Sequence, residues 1–126
     1  MAETLPKEHL KEVAQTILDQ IIGTTTWDVR GSWGMNNPRY TQYQEYPALI
    51  FSVNGFLFSG KVIVALDEGL DVYRLYLWNM INEPQLVNDN VYCDELGDVI
   101  DRHVEKGESE ALYNQHLKQF MQAICL

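Results

Sequence analysis

The fold is decided by residues 48–66, ALIFSVNGFLFSGKVIVAL. Asn54-Gly55 separates two apolar, alternating runs, and both residues tolerate the positive φ that a two-residue type I′ turn requires, so the sequence predicts a β-hairpin. The pairs that this turn produces are Val53 with Phe56, Phe51 with Phe58, and Leu49 with Gly60. Opposed residues share a face, so the core side is predicted to carry Leu49, Phe51, Val53, Phe56, Phe58, Val62, Val64 and Leu66. A glycine in mid-strand at position 60 predicts a bulge or close packing.

Further elements flank the hairpin. Apolar residues recur at helical spacing from Leu10 to Ile21, which predicts a first helix capped by Thr4 and ended by Gly23. Period-two alternation over residues 25–33 predicts a strand. Residues 40–46 have no clean period and are predicted to be a loop or a frayed edge of the sheet, and residues 79–90 are predicted to be a loop. Residues 67–69 form a predicted turn, and residues 70–78 carry large apolar side chains on both faces, which predicts a strand inside the sheet.

Two amphipathic segments predict two closing helices. Their expected caps and ends are Asp89 or Asn90, Gly107 and Ser109. The buried stripe of the first is Tyr92, Leu96, Val99, Ile100, His103 and Val104. The buried stripe of the second is Leu112, Tyr113, Leu117, Phe120, Met121 and Ile124.

These elements predict one α+β domain over residues 1–126. Short connections favour an antiparallel meander, and helices with one apolar face cover one side of a sheet. The expected architecture has two layers, with about four strands and three helices in the order α-β-β-β-β-α-α. An open strand edge can pair with the edge of a second copy of the chain, so a homodimer stays an alternative.

Composition and charge narrow the function. The chain has 126 residues, 46% of them hydrophobic, with 9 Lys+Arg against 18 Asp+Glu and a formal net charge of −9. This balance argues against binding to nucleic acid or to an anionic membrane, both of which need basic surface. No signal peptide or membrane span is recognised, so a cytoplasmic location is expected. Cys93 and Cys125 are predicted to stay reduced.

No catalytic, cofactor-binding or metal-binding residue is predicted. The candidate metal ligands His9, His103, His116, Cys93 and Cys125 have none of the spacings of known metal motifs. The chain has no GxSxG, P-loop or GxGxxG motif. A site assembled in space from His103, His116 and Cys93, or with Asp101 beside them, stays open, and an enzyme is the third functional hypothesis.

Acidic residues are concentrated in one third of the chain. Residues 67–110 hold 12 acids and 3 bases, whereas residues 1–66 hold 6 and 5. Within this region Asp94, Asp98, Asp101 and Glu105 share one face of a predicted helix. Negative surface steers basic partners, so the first functional hypothesis is a non-enzymatic protein-interaction or accessory module that docks a basic protein. A solvated face that keeps the protein soluble is the competing interpretation.

An aromatic patch is the second candidate surface. Trp27, Trp33, Tyr40 and Tyr43 lie close in sequence beside a polar stretch at residues 34–38. Exposed Trp and Tyr next to adaptable polar residues suit recognition of a peptide or a sugar. The alternative function is therefore a small-ligand or glycan-binding module that uses residues 27–46. Burial of the tryptophans in the core is the competing interpretation.

The spacing of apolar residues between positions 27 and 106 resembles that of a known group. The segments that carry the likeness are residues 27–34, 48–55, 60–66, 71–73 and 96–101. In these the chain resembles small uncharacterised proteins of gut-bacterial phages and mobile elements. The resemblance implies an accessory or host-interaction role, and it brings no catalytic residue with it.

Overall fold

The computed structural model of the protein describes residues 4–106. The predicted last helix, with its Ser109 cap and the Gly107 end of the helix before it, lies outside them. The helices are α1 (Lys7–Thr24), α2 (Trp27–Ser32) and α3 (Leu96–Asp101). The strands are β1 (Asn36–Tyr43), β2 (Tyr46–Asn54), β3 (Ser59–Asp67), β4 (Val72–Trp78) and β5 (Gln85–Val91). A 3-10 turn, Cys93–Glu95, precedes α3, and a π-helical turn, Arg102–Lys106, follows it.

The five strands form one antiparallel sheet in the order β1-β2-β3-β4-β5. The predicted α+β class and antiparallel meander are confirmed, with five strands rather than about four. Over the described residues the element order is α-α-β-β-β-β-β-α, which differs from the predicted order at both ends. No helix among residues 4–106 has the length and apolarity that crossing a membrane requires.

One large core lies between the helices and the first face of the sheet. It joins α1 and α3 to alternate residues of β2, β3 and β4. Its fully buried large side chains are Ile17, Ile21, Trp33, Phe51, Leu75, Leu96 and Ile100. Burial of apolar area of this kind stabilises the fold at roughly 25 cal/mol per Å². Helix α1 therefore lies across β1 and β2, and this position matters for the surface described below.

The predicted hairpin forms, but its loop is longer than two residues. β2 pairs with β3 so that Val53 opposes Gly60 and Phe51 opposes Val62, which leaves residues 55–58 as the loop. All three predicted pairs, Val53 with Phe56, Phe51 with Phe58 and Leu49 with Gly60, are therefore wrong. Phe56, which was predicted on the core side, is 39% exposed in the loop. Backbone N–H groups of residues 57 and 58 donate to the Val104 carbonyl oxygen, so a tertiary contact overrides the local turn preference. The close packing predicted at Gly60 is confirmed, because an added Cβ would lie 2.5 Å from the Trp78 carbonyl oxygen.

Residues 25–33 were expected to form a strand, and this prediction is wrong because α2 occupies Trp27–Ser32. Thr26 caps the helix, its hydroxyl oxygen accepting the Val29 N–H at 3.2 Å. Arg30 Nη1 donates to the Ile22 and Thr25 carbonyl oxygens. Such side-chain bonds to nearby backbone groups favour a capped helix over an extended strand.

The loop predicted at residues 79–90 is wrong in part, whereas of the two alternatives for residues 40–46 the structure shows the sheet edge rather than the loop. β1 runs to Tyr43 and turns through Gln44, whose φ is +55°, before β2 begins at Tyr46. β5 begins directly after Pro84. Both are edge strands with mostly exposed side chains, and an edge strand needs no regular apolar alternation. The predicted inner position of residues 70–78 is confirmed, since β4 lies between β3 and β5.

The helix ends differ from the predictions. α1 is capped by the backbone of Pro6 rather than by Thr4, and it ends at Thr24 rather than at Gly23. The C-terminal helical segment is capped at Tyr92, not at Asp89 or Asn90, and the Glu95 carboxylate accepts the Tyr92 N–H at 3.0 Å. The predicted inward position of Tyr92 is wrong, since it is 53% exposed, whereas the rest of its stripe except half-buried His103 is buried.

Candidate functional site

The four acids of the predicted docking stripe do not share one environment. Asp94 is exposed in the 3-10 turn. Asp98 Oδ2 accepts a hydrogen bond from Arg102 Nη2 at 2.9 Å, and both side chains are exposed. An exposed ion pair of this kind contributes about 0–1 kcal/mol to stability. Asp94 and Asp98 are thus the two members of the stripe that face solvent.

Asp101 is a structural partner of the core. Its Oδ1 accepts the indole N–H of Trp33 at 2.8 Å, across 68 positions of sequence. Trp33 is fully buried, and a buried N–H without an acceptor costs about 1–3 kcal/mol. This bond therefore fixes the end of α3 against the C-terminal end of α2.

Glu105 is buried, being only 5% exposed. Its Oε2 accepts the Phe56 N–H at 2.8 Å, which holds the β2–β3 loop against the π-helical turn. Burial raises the pKa of Glu105 above its ordinary value, the Phe56 N–H lowers it, and Asp101 raises it further. The four acids therefore do not form a continuous stripe that faces solvent.

The aromatic patch predicted over residues 27–46 is dispersed. Trp27 is 81% exposed on α2, whereas Trp33 is 0% exposed in the core. Tyr40 opposes Leu49 and lies on the helix-covered face of the sheet, and Lys11 Nζ lies 5.8 Å from its ring centre. Tyr43 has the opposite parity in β1 and lies on the other face. The structure does not bring these four rings together.

The scattered histidine and cysteine candidates form no site among the described residues. Cys93 is an exposed free thiol, and His103 is half-buried in the π-helical turn, while His116 and Cys125 lie outside residues 4–106. His9 Nε2 instead contacts the Glu68 carboxylate near the β3–β4 turn. Over residues 4–106 no three His, Cys, Asp or Glu side chains are arranged to hold a metal ion.

The second face of the sheet carries a cluster that the sequence did not single out. Ala48 and Ala65, small residues of the central strands β2 and β3, are fully buried there. Tyrosine rings from β1, β2 and β4 lie over these two alanines. We call the group formed by Tyr43, Tyr46, Arg74 and Tyr76 the tyrosine–arginine cluster. Among residues 4–106 its buried floor contains strand residues only.

Arg74 joins the tyrosines of this cluster. Its guanidinium carbon lies 5.1 Å from the Tyr46 ring centre and 5.7 Å from that of Tyr76. Its Nε donates to Tyr76 Oη at 2.8 Å, and the rings of Tyr43 and Tyr76 meet at 4.6 Å with a tilt of 57°. A guanidinium over aromatic faces gains about 0.5–2 kcal/mol from cation–π attraction. The cluster thus already holds one guanidinium.

Carboxylates surround the tyrosine–arginine cluster. Burial raises the pKa of Tyr43, and Tyr76 and Glu83 raise it further. Burial also raises the pKa of Tyr46; Glu45 and Asp67 act in the same direction, and Arg74 opposes them. The hydrogen bond to Tyr76 raises the pKa of Arg74, as does Asp89. Four acids, Glu45, Asp67, Glu83 and Asp89, therefore act electrostatically on this cluster beside the single positive charge of Arg74.

A groove on the first face lies between α1 and the edge strand β1. Its volume is about 680 Å³, and its lining includes Lys11, Ala14 and Leu18 from the helix and Arg39 and Tyr40 from the strand. We call it the helix–strand groove. It lies on the opposite face of the sheet from the tyrosine–arginine cluster.

Arg74 and Tyr76 belong to the strand predicted over residues 70–78, but no role is predicted for them from the sequence. The signal in the sequence that points to this cluster is the occurrence of small residues in the central strands beside aromatic residues in the neighbouring strands. Comparison with protein-family models, curated proteins and solved structures found no match for this chain.

Proposed function

We propose that this protein is a non-enzymatic interaction module that binds an arginine-rich segment of a basic partner protein. The observation that carries the proposal is the position of Arg74 against the rings of Tyr46 and Tyr76, together with carboxylates that act electrostatically on the same cluster. A surface that holds its own guanidinium between phenol rings has the shape and charge to take a second one. The binding surface of the proposal is the tyrosine–arginine cluster with its surrounding carboxylates.

The Tyr43 end of the cluster is the half offered to the partner. Arg74 lies against the rings of Tyr46 and Tyr76, whereas its ring contacts within residues 4–106 do not include Tyr43, whose ring meets that of Tyr76. Glu83, which is exposed, acts electrostatically on Tyr43. A partner guanidinium on Tyr43 therefore gains both cation–π attraction and an ion pair.

Acidic residues of the 67–110 region still attract the partner in this proposal. The contact surface is the tyrosine–arginine cluster rather than the predicted docking stripe. Asp67, Glu83 and Asp89 belong to that region and act on the cluster. Asp101 and Glu105 are engaged in internal hydrogen bonds, so the proposal gives them no partner contact. A cytoplasmic accessory role, of the kind implied by the resemblance to phage and mobile-element proteins, belongs to the same proposal.

A labelled arginine–glycine peptide of eight residues provides the test, with a lysine–glycine peptide for comparison. We expect the arginine peptide to bind more tightly, because a planar guanidinium stacks on a phenol ring better than an ammonium does. Tyr43→Leu and Glu83→Lys should each weaken binding at least about fivefold in fluorescence anisotropy, consistent with a loss of about 1 kcal/mol per contact.

Asp94→Lys is the matched control, because it makes the same charge change as Glu83→Lys at an exposed site in the 3-10 turn. It should change binding less than twofold. Equal losses in Asp94→Lys and Glu83→Lys would show that overall charge attracts the peptide, and the proposed surface would be wrong. Failure of the natural chain to bind the arginine peptide at low salt would overturn the proposal itself. Thermal unfolding of each variant checks that the fold is kept.

A further inference from the structure

The second face of the sheet carries two further cations beside the tyrosine–arginine cluster. Arg39 opposes Ile50 and has the parity of Tyr43, so its side chain lies on this face, although β1 also borders the helix–strand groove at this position. Lys61 opposes Ser52, two residues from Ile50 in β2, and therefore shares the face. Arg39 is exposed and Lys61 is half-buried. Both lie between the cluster and the β2–β3 loop.

These two cations come together over β2. Lys61 Nζ donates to Ser52 Oγ at 2.8 Å, so the lysine side chain leans from β3 across β2. Ser52 is the diagonal neighbour of Arg39, and diagonal neighbours lie about 7–8 Å apart. Arg39 Nε donates to Asn37 Oδ1 at 3.3 Å, which holds the guanidinium at this end of β1. We call Arg39 and Lys61 the basic pair.

The basic pair has no anionic partner in the described part of the chain. Among residues 4–106 the ion pairs join His9 to Glu68 and Arg102 to Asp98. The whole chain has 18 Asp+Glu against 9 Lys+Arg, so acids are plentiful, yet in that range none pairs with these two cations. The basic pair is therefore a place where an anion from another molecule gains electrostatic energy.

Strand geometry fixes the distance from the basic pair to the partner's arginine. The proposed function places that arginine on Tyr43, four residues from Arg39 on the same strand and face, with regular register between them. At about 3.3 Å per residue, this separation is about 13 Å. An extended segment has the same rise, and its residues four apart point to the same side. A side chain four positions from the arginine therefore lies at the basic pair.

We propose that the second face binds an extended partner segment in which an aspartate or glutamate stands four residues from the arginine on Tyr43. This inference rests on the proposed function, since it specifies the partner's sequence at the same surface. The carboxylate accepts charge-assisted hydrogen bonds from Arg39 and Lys61. A second arginine at that position is repelled by the same two cations. The partner stays basic overall, and its single carboxylate sets the register in which it binds.

Variants of the eight-residue peptide, with arginine and glycine alternating, test this inference by fluorescence anisotropy. Glutamate replaces arginine at the fifth position in one peptide and at the third in another, which covers both directions along β1. One of the two should bind at least about fivefold more tightly than the same peptide with glutamine there. Exchanging that glutamate with the neighbouring glycine should remove the gain, because the side chain then faces away from the sheet.

Variants of the protein locate the effect. Arg39→Gln should reduce the preference for glutamate over glutamine to less than about twofold, and adding Lys61→Gln should abolish it. Lys7→Gln removes one positive charge at the exposed first residue of α1, on the other face of the sheet, and should keep the full preference. Thermal unfolding of each variant checks that the fold is kept.

Three results would overturn the inference. One is equal binding of the glutamate and glutamine peptides at both positions. Another is a preference for glutamate that survives in the variant with both Arg39→Gln and Lys61→Gln. The third is an equal loss of preference in Lys7→Gln and Arg39→Gln. If the natural chain binds the all-arginine peptide without any gain from glutamate, this inference alone fails. If it binds none of the peptides, the proposed function fails as well.

Discussion

Glu105 gives the sharpest test of how the β2–β3 loop is held. Glu105→Ala removes the acceptor of the Phe56 N–H, and it does so at a site that is only 5% exposed. A hydrogen bond to a charged group contributes about 1.5–3 kcal/mol to stability, so we expect the free energy of unfolding to fall by about 2 kcal/mol. Glu105→Gln keeps an oxygen at the same reach and should stay within about 0.5 kcal/mol of the natural chain near pH 4.

The same pair of variants has a defined pH dependence. Burial raises the pKa of Glu105 above its ordinary value of 4.5, so the folded state favours the protonated carboxyl. Stabilisation from this proton is fully present below the unfolded pKa and is lost as pH rises through the folded pKa. The natural chain therefore loses stability relative to Glu105→Gln over that window, and Gln should be the more stable residue at pH 7.

Urea unfolding followed by tryptophan fluorescence at pH 4 and pH 7 measures both effects. A slope of about 1–3 kcal/mol per molar urea converts the expected cost of Glu105→Ala into a midpoint shift of about 1 M. Equal midpoints for Glu105→Ala and Glu105→Gln would refute the acceptor role. An identical gap between the natural chain and Glu105→Gln at both pH values would refute the raised pKa.

Four further variants test other features of the fold. Gly55→Ala places a Cβ 2.3 Å from a backbone carbonyl oxygen and should destabilise by about 1–3 kcal/mol in thermal unfolding, whereas Gly31→Ala, with open space in α2, should stabilise by about 0.5–1 kcal/mol. Asp101→Ala should cost about 1–3 kcal/mol in urea unfolding, because the Trp33 indole N–H loses its acceptor. Burial raises the pKa of Tyr73 to about 12, so Tyr73→Phe should remove one late step from the native absorbance titration.

Strong, regular patterns predicted the centre of the fold. The alternation around Asn54-Gly55 located two strands and their core face, and the helical spacing from Leu10 to Ile21 located α1. These patterns succeed because buried positions must alternate with the period of the backbone. The loop length did not follow from them, because the Val104 carbonyl oxygen and Glu105, far along the chain, capture residues 56–58.

The periodicity of apolar residues in the sequence does not locate edge strands or short helices. β1 and β5 bury few side chains, so their sequences carry little periodic signal, and α2 depends on local hydrogen bonds from Thr26 and Arg30. The candidate sites failed for a related reason. Helical spacing placed Asp101 and Glu105 on one face correctly, but only the tertiary structure shows that this face meets Trp33 and the β2–β3 loop.

The strand order of the sheet has a consequence for synthesis of the chain. Each strand pairs with the one made just before it, so the sheet can grow hairpin by hairpin as the chain leaves the ribosome, and such local pairing is fast. The core has a different schedule. Trp33 must wait for Asp101, made 68 positions later, before its indole N–H is satisfied. The contact between Trp33 and Asp101 therefore forms only after α3 has emerged from the ribosome. A chain stalled before Leu96 leaves exposed the core side chains that α3 covers, and chaperones recognise apolar surface of this kind.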